Sequence, residues 1–221
     1  MTNIYLDIET IPSQEDWVTQ YITDNTKPPG NITKPESIEK WYAEKQEQAI
    51  EDNLRKCSFD GAMNHIVCIG VALDDEEPVV FYTRAANGEA DILQTFYNYI
   101  EQSTDDYGNI YIGHNISGFD LRVILQRSIV LGVQPCAGIP FHAKPWDMNP
   151  FDTMQKWDAR NYTKLDILAR ALGIAESYES GVDGSQVYDM WLNGQDDDIA
   201  DYCKSDVRLV REVYKRMKAF Y

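Results

Sequence analysis

No stretch of the chain reaches the roughly 18 consecutive apolar residues of a membrane span. No basic-then-apolar leader opens it either, since an acid already stands at Asp7. We therefore expect no membrane partner and a soluble protein of the cell interior, cytoplasmic in location. Cysteine is scarce. Cys57, Cys68, Cys136 and Cys203 are dispersed, without the paired spacing of a zinc ribbon or a disulfide framework, and scattered thiols fit a reducing compartment. Positive charge is short as well: 20 Lys and Arg stand against 36 Asp and Glu, a formal net charge of −16. Such a chain does not hold a phosphate backbone by bulk electrostatics, so non-specific binding to nucleic acid should be weak. A nucleic-acid substrate stays open, because metal can neutralise carboxylates and a basic patch can sit on an acidic body. Repeats and low-complexity tracts are missing too.

What is present belongs to a globular protein. Of 221 residues, 43% are hydrophobic and 12% aromatic, which rules out disorder of the whole chain and suffices for one sizeable α/β core. We read residues 1–221 as a single domain. The stretch Tyr5-Leu6-Asp7-Ile8-Glu9-Thr10 reads as a strand, with Ile4, Leu6 and Ile8 on one side of a period-two pattern and Tyr5, Asp7 and Glu9 on the other. Two acids on one face repel, and a divalent cation between them would relieve that. An edge strand with both acids in solvent gives the same pattern, so the stretch alone leaves both readings open.

Residues 12–60 are polar and differ from their surroundings. Lys27-Pro28-Pro29-Gly30-Asn31 marks a turn, Pro35 sits where a helix starts, and Ile38, Tyr42, Ala49 and Leu54 supply a sparse apolar side. This predicts an insertion with one long charged helix, a solvated arm at the domain edge rather than a flap that guides substrate. Residues 65–73 and 78–83 form a predicted hairpin across Asp74-Asp75-Glu76-Glu77. Beyond it the pattern predicts a helix over 89–101, a strand at 110–112, a helix over 119–131, a proline-rich loop over 133–150 and a short strand or turn at Phe151. Helices over 162–172, 185–192 and 197–220 close the chain.

The last helix carries an inward stripe of Ile199, Cys203, Asp206, Val210, Val213 and Met217 at alternating steps of three and four. Asp206 occupies a core position, where an ionised carboxylate is costly unless paired or metal-bound. Tyr202, one turn earlier, faces the same way, and its hydroxyl satisfying a buried acid is the plainer alternative. Asp120 lies in a first helical turn, where acids commonly complement the dipole. It follows Gly113-His114-Asn115-Ile116-Ser117-Gly118-Phe119, a glycine-bearing polar run at a strand end, where ligands of α/β sheets usually lie. Four carboxylates together suit hard divalent cations. Two such ions about 4 Å apart can activate water on one side of a phosphodiester and stabilise the leaving oxygen on the other.

These residues resemble the DEDD exonucleases, which have an RNase H-like fold. Asp7-Ile8-Glu9-Thr10 is similar to their first motif, Asn115 to Asp120 to the N-x-x-x-F-D second motif, and Tyr202 to Asp206 to the Y-x-x-x-D third motif, all in order across nearly the whole chain. The tyrosine places the sequence with the DEDDy branch. None of His65, His114 and His142 can supply a histidine to the third motif. The tail from Lys164-Leu165-Asp166 through Asp183-Gly184-Ser185 to Tyr202-Cys203 looks like the proofreading-type exonucleases related to family B DNA polymerases. The resemblance implies an α/β fold with a central mixed five-stranded sheet flanked by helices and a helical insertion after the first strand. It implies two Mg²⁺ or Mn²⁺ ions held by Asp7, Glu9, Asp120 and Asp206, with Asp7 bridging both and Tyr202 positioning the attacking water. Thr10, Asn115 and Phe119 would hold the terminal nucleotide, and nucleoside monophosphate would leave from a 3′ end. The substrate would be single-stranded nucleic acid, DNA favoured over RNA.

Two features depart from that pattern: the length of the insertion and the lack of a basic track. Lys144, Lys156, Arg160, Lys164, Arg122 and Arg127 are candidates for phosphate contacts, though solvated surface charge is the expected use of most. Trp146, Trp157 and Trp191 could stack bases, with core packing the expected use of each. Asp152-Thr153 reads as a helix cap, and Asp183-Gly184-Ser185 as a turn and cap. Any polymerase would be a separate chain, so replication proteins are candidate partners, and compact stand-alone forms resemble products of viral or mobile replication modules. Two other activities share the pattern: an exoribonuclease of the same branch, and a catalytically idle RNase H-like module that docks through the acidic insertion. The complete carboxylate set argues against idleness.

Overall fold

The computed structural model describes residues 2–104, 108–144, 146–174 and 183–221. A mixed sheet of five strands organises it: β1 (Asn3–Pro12), β2 (Asn64–Leu73), β3 (Val79–Tyr82), β4 (Ile110–Gly113) and β5 (Phe151–Asp152), in the order β3-β2-β1-β4-β5. The first three pair antiparallel, and β1–β4 and β4–β5 pair parallel. Successive connections therefore run to opposite sides of β1, which leaves a crevice at the carboxyl ends of β1 and β4.

The alternation along β1 holds. Ile4, Leu6 and Ile8 pack with Phe96, Tyr97 and Ile100 of α4 (Glu89–Ser103) and with Leu121, Val123 and Ile124 of α5 (Asp120–Leu131). On the other face Tyr5 packs with Val207, Val210, Val213 and Tyr214 of α9 (Asp196–Met217), joined by α7 (Leu165–Ala171) and α8 (Val187–Leu192). A short α6 (Thr153–Trp157) follows β5 directly. Opposite Asp7 on β2 stands Gly70, where a Cβ would lie 2.7 Å from Cys203 Sγ and 3.0 Å from Val207 Cγ2. Its missing side chain lets α9 lie close on the sheet. Among the described residues no helix is long and apolar enough to cross a membrane. Residues 175–182, between the expected helices over 162–172 and 185–192, lie outside the described residues.

The insertion corrects the sequence reading. In place of one long helix it holds α1 (Asp16–Asn25), α2 (Pro35–Glu44) and α3 (Gln46–Lys56), with Pro35 opening α2 as expected and a break at Lys45. It packs on the domain edge. Val18 and Trp41 are buried, and Arg55 of α3 makes a two-pronged pair with Asp189 of α8 at 3.0 and 2.7 Å. The same guanidinium covers the ring of Tyr188, which stacks on Trp191, and Arg84 covers the ring of Trp191 while holding Asp196 at 2.6 Å. This side-chain ladder fastens the insertion to α8 and α9, and it makes Trp191 a packing residue, as expected.

At its other end the insertion meets a buried ion pair. Arg127 of α5 holds both carboxylate oxygens of Glu89 at 2.8 and 2.7 Å, and Glu89 also accepts from the Ile66 amide at 2.9 Å. Arg127 further donates to the Gly61 carbonyl at 3.2 Å. Arg127 is therefore neither a phosphate ligand nor a solvated surface charge, the two uses the sequence left open. Its charge is consumed inside the protein.

Candidate active site

Asp7 and Glu9 share the α9 face of β1, and the close packing at Gly70 brings the third motif to them. One carboxylate oxygen of each and the Sγ of Cys203 lie within 4.8 Å of one another. The Cys203 thiol contacts the main-chain carbonyl of Asp7 at 3.7 Å. Tyr202 and Asp206 are half-buried and hydrogen-bonded, the phenol donating to the carboxylate.

Asp120 arrives from the opposite side of the sheet. Strands β1 and β4 pair only as far as Tyr5 and Ile112 and then part. The Ile8 amide, left without a strand partner there, donates to Asp120 Oδ1 at 3.1 Å. Asp120 is buried at the first residue of α5, where the helix dipole favours an acid.

The electrostatics follow from this crowding. Burial pushes Asp7 well above the ordinary carboxylate range, and the charges of Asp206 and Asp120 push it further. Glu9 is raised likewise, by burial first and then by Asp7 and Asp206. Asp120 is raised to about 7, chiefly by burial and also by the charge of Asp152, while its backbone hydrogen bonds pull the other way. Asp206 is raised to about 6 by burial, with the Tyr202 hydroxyl opposing and Asp166 and Asp183 adding. Burial and the charges of Glu9, Asp206 and Asp7 hold the Tyr202 phenol protonated, so it is a hydrogen-bond donor and not a base.

One oxygen shows what the cluster lacks. Asp7 Oδ2 is buried with no hydrogen-bond partner, a condition that costs about 1–3 kcal/mol. A hard divalent cation at that oxygen would satisfy it and relieve the mutual repulsion of four acids, and carboxylate oxygens are the donors such cations take. The residues therefore fit a metal site.

The second motif is set by a residue that the sequence showed only as a cap. Asp152 does cap α6, accepting from the Met154 and Gln155 amides at 3.1 and 3.2 Å. Its carboxylate also accepts from the Asn115 amide at 3.0 Å and the Ser117 amide at 3.1 Å. That fixes the turn in which Asn115 takes φ 63°, with its side chain folded over Gly118. The available signal was a glycine-bearing polar turn, 113–118, whose amides need an acceptor. Asp183, read as a turn and cap, forms a capping box with Gln186 and pairs with Lys164 at 2.8 Å beside Asp206.

The structure puts Asp7 and Glu9 side by side, with Asp206, bonded to Tyr202, and Asp120 near enough for their charges to raise both, and Asn115 and Phe119 lead into Asp120. Thr10 differs. Its hydroxyl donates to the Ser58 carbonyl at 2.7 Å, so it anchors the end of the insertion. Among the other basic candidates, Arg122 is turned onto the Gly118 and Phe59 carbonyls, Lys164 onto Asp183, and Lys156 over the rings of Phe151 and Tyr221. Lys144 and Arg160 are exposed. Trp146 and Trp157 are exposed rather than packed in the core.

The raised acids set a pH dependence. Below about 4 these groups are protonated in both folded and unfolded chains and contribute nothing. As pH rises the unfolded chain ionises first, the folded one binds more protons, and the metal-free protein loses stability until the folded values are passed, about 6 for Asp206 and about 7 for Asp120. Buried His65 and His114, whose pKa values burial lowers, pull the opposite way. The difference in melting temperature with and without saturating Mg²⁺ isolates the carboxylates. It is expected to grow from pH 5.5 to pH 8, since protons compete for the same oxygens. A difference that shrinks with rising pH would remove these acids from the metal site.

Comparison with known proteins sets this geometry in context. Residues 59–221 match a family described as "Predicted 3'-5' exonuclease related to the exonuclease domain of PolB". No curated protein matches the chain. Among solved structures, the whole chain superposes on the family B DNA polymerase from the hyperthermophilic archaeon Pyrobaculum calidifontis, with a TM-score of 0.63 at 17% identity. It spans 25% of the length of that polymerase. The mixed sheet and flanking helices are thus those of an RNase H-like exonuclease fold.

Proposed function

This chain belongs to the family of predicted 3′-5′ exonucleases related to the exonuclease domain of PolB, and from that premise we propose that it shortens single-stranded DNA from the 3′ end by a two-metal mechanism. The observation that carries the reading is the buried, partnerless Asp7 Oδ2 beside Glu9, with Asp206 and Asp120 close enough to raise Asp7 by their charges. These acids would hold two Mg²⁺ or Mn²⁺ ions. When bound, the ions supply an activated water and charge stabilisation at the leaving oxygen.

The protein's own groups do the rest. The Tyr202 phenol donates its hydrogen bond to Asp206, and its oxygen can accept a hydrogen bond from the attacking water and so orient it. Asn115 and Phe119 hold the terminal nucleotide, on a loop whose shape Asp152 sets. Thr10 acts on the nucleotide through the segment it anchors. Nucleoside 5′-monophosphate leaves. Kinship with DNA polymerase exonuclease domains favours DNA over RNA, and replication proteins are the expected partners.

A 5′-labelled DNA oligonucleotide incubated with the protein and Mg²⁺ or Mn²⁺ is expected to shorten one nucleotide at a time from its 3′ end, faster than the matched RNA. Faster loss of RNA would transfer the activity to RNA trimming. Two intact ladders would leave the idle docking module.

A further inference from the structure

The insertion ends in a short helical turn, Cys57–Phe59, placed with unusual care for a surface segment. Three hydrogen bonds hold its carbonyls, and a fourth holds that of Gly61 just beyond it. Thr10 Oγ1 and Asn64 Nδ2 donate to Ser58 at 2.7 and 2.9 Å. Arg122 Nη2 donates to Phe59 at 3.3 Å, and Arg127 Nη1 to Gly61 at 3.2 Å. Thr10 follows Glu9 on β1, and Arg122 lies two residues after Asp120 on α5. The segment is thereby locked to both walls of the crevice.

What the lock presents is an aromatic ring facing water. Phe59 is 63% exposed, although burying a Phe side chain is worth about 1.5–3 kcal/mol. Its ring centroid lies 6.0 Å from that of Phe119, at 57°. Phe119 immediately precedes Asp120. A rigid backbone that holds an apolar ring out of the core, beside a second ring at the catalytic acids, has the form of a stacking platform, since every base offers a π-face.

We infer that Phe59 and Phe119 form a subsite that stacks an unpaired nucleobase next to the scissile bond, so that the insertion is part of the substrate path. This rests on the nuclease reading above. Stacking of this kind is worth about 1–3 kcal/mol per base on truncation to alanine, roughly 5- to 150-fold in affinity. Purines and pyrimidines are both accepted, because no hydrogen-bonding edge is read.

The test compares Phe59→Ala and Phe59→Trp on single-stranded DNA and on the same strand with an abasic nucleotide next to its 3′ end. Phe59→Ala is expected to raise KM about 5- to 150-fold on the normal strand, with kcat little changed, to cost nothing further on the abasic strand, and to be rescued by Phe59→Trp. In parallel, 2-aminopurine at the same position, bound in the presence of non-hydrolysing Ca²⁺, is expected to be quenched by the unmodified protein and not by Phe59→Ala. An equal cost on both strands, or no cost on either, overturns the subsite. Were the unmodified protein to cut neither strand, the nuclease reading would fail, and unchanged 2-aminopurine quenching in Phe59→Ala would overturn the subsite by itself.

Discussion

Asp7→Asn is expected to lose about 10³-fold or more in exonuclease rate, beyond the 10- to 100-fold typical of losing an outer partner of a metal ligand. At pH 8 without metal, the same protein is expected to melt at a higher temperature than the unmodified chain. Both results have one cause. Asp7 is raised by burial and by Asp206 and Asp120, and its Oδ2 has no partner. Removing the charge abolishes a repulsion that only a cation relieves, so activity and stability move in opposite directions. Each kcal/mol regained corresponds to about 2–4 °C in a domain of this size. At pH 5 the gain should fade, because protons already neutralise the cluster. Thermal melts at the two pH values, beside the oligonucleotide assay, provide the check. A variant that is inactive but also less stable at pH 8 would mean that Asp7 serves packing and not metal.

Arg127→Ala is expected to lose about 3–5 kcal/mol of stability, a large share of the roughly 5–15 kcal/mol available to a domain. The side chains of Arg127 and Glu89 are 4% and 1% exposed, so truncating one strands the other's charge in the interior. It also releases the Gly61 carbonyl, which has Arg127 as its donor. The expected signature is a melting temperature lower by about 10 °C or more. Arg127→Met combined with Glu89→Gln is expected to recover part of the loss, since no lone charge remains buried. Should the double variant melt below the single one, the cost would lie in packing, not in the stranded carboxylate.

These two predictions also mark where sequence pattern was sufficient and where it was not. Asp7 could be found because a strand exposes its period in every second residue, and Asp206 because an acid interrupts an apolar helical stripe. Both signals are local, and the structure adds only the convergence. Arg127 reads as one more surface charge on a helix, for nothing nearby in sequence indicates Glu89 on another element. Asp152 shows the same limit: its bonds to Met154 and Gln155 are local and legible, and those to Asn115 and Ser117 are not. The break at Lys45 carries neither glycine nor proline, so the division of the expected helix had no marker. Thr10 matched a motif by type, yet its hydroxyl is directed by the fold to Ser58.

The span between Asp7 and its contact Cys203 is 196 residues, and this bears on when the enzyme comes into being. Chains fold from the N-terminus as they leave the ribosome, and contacts of such separation form late. The strand that carries Asp7 and Glu9 is made well before α9, which brings Tyr202 and Asp206. Until that helix docks, a nascent chain holds only part of the proposed metal site.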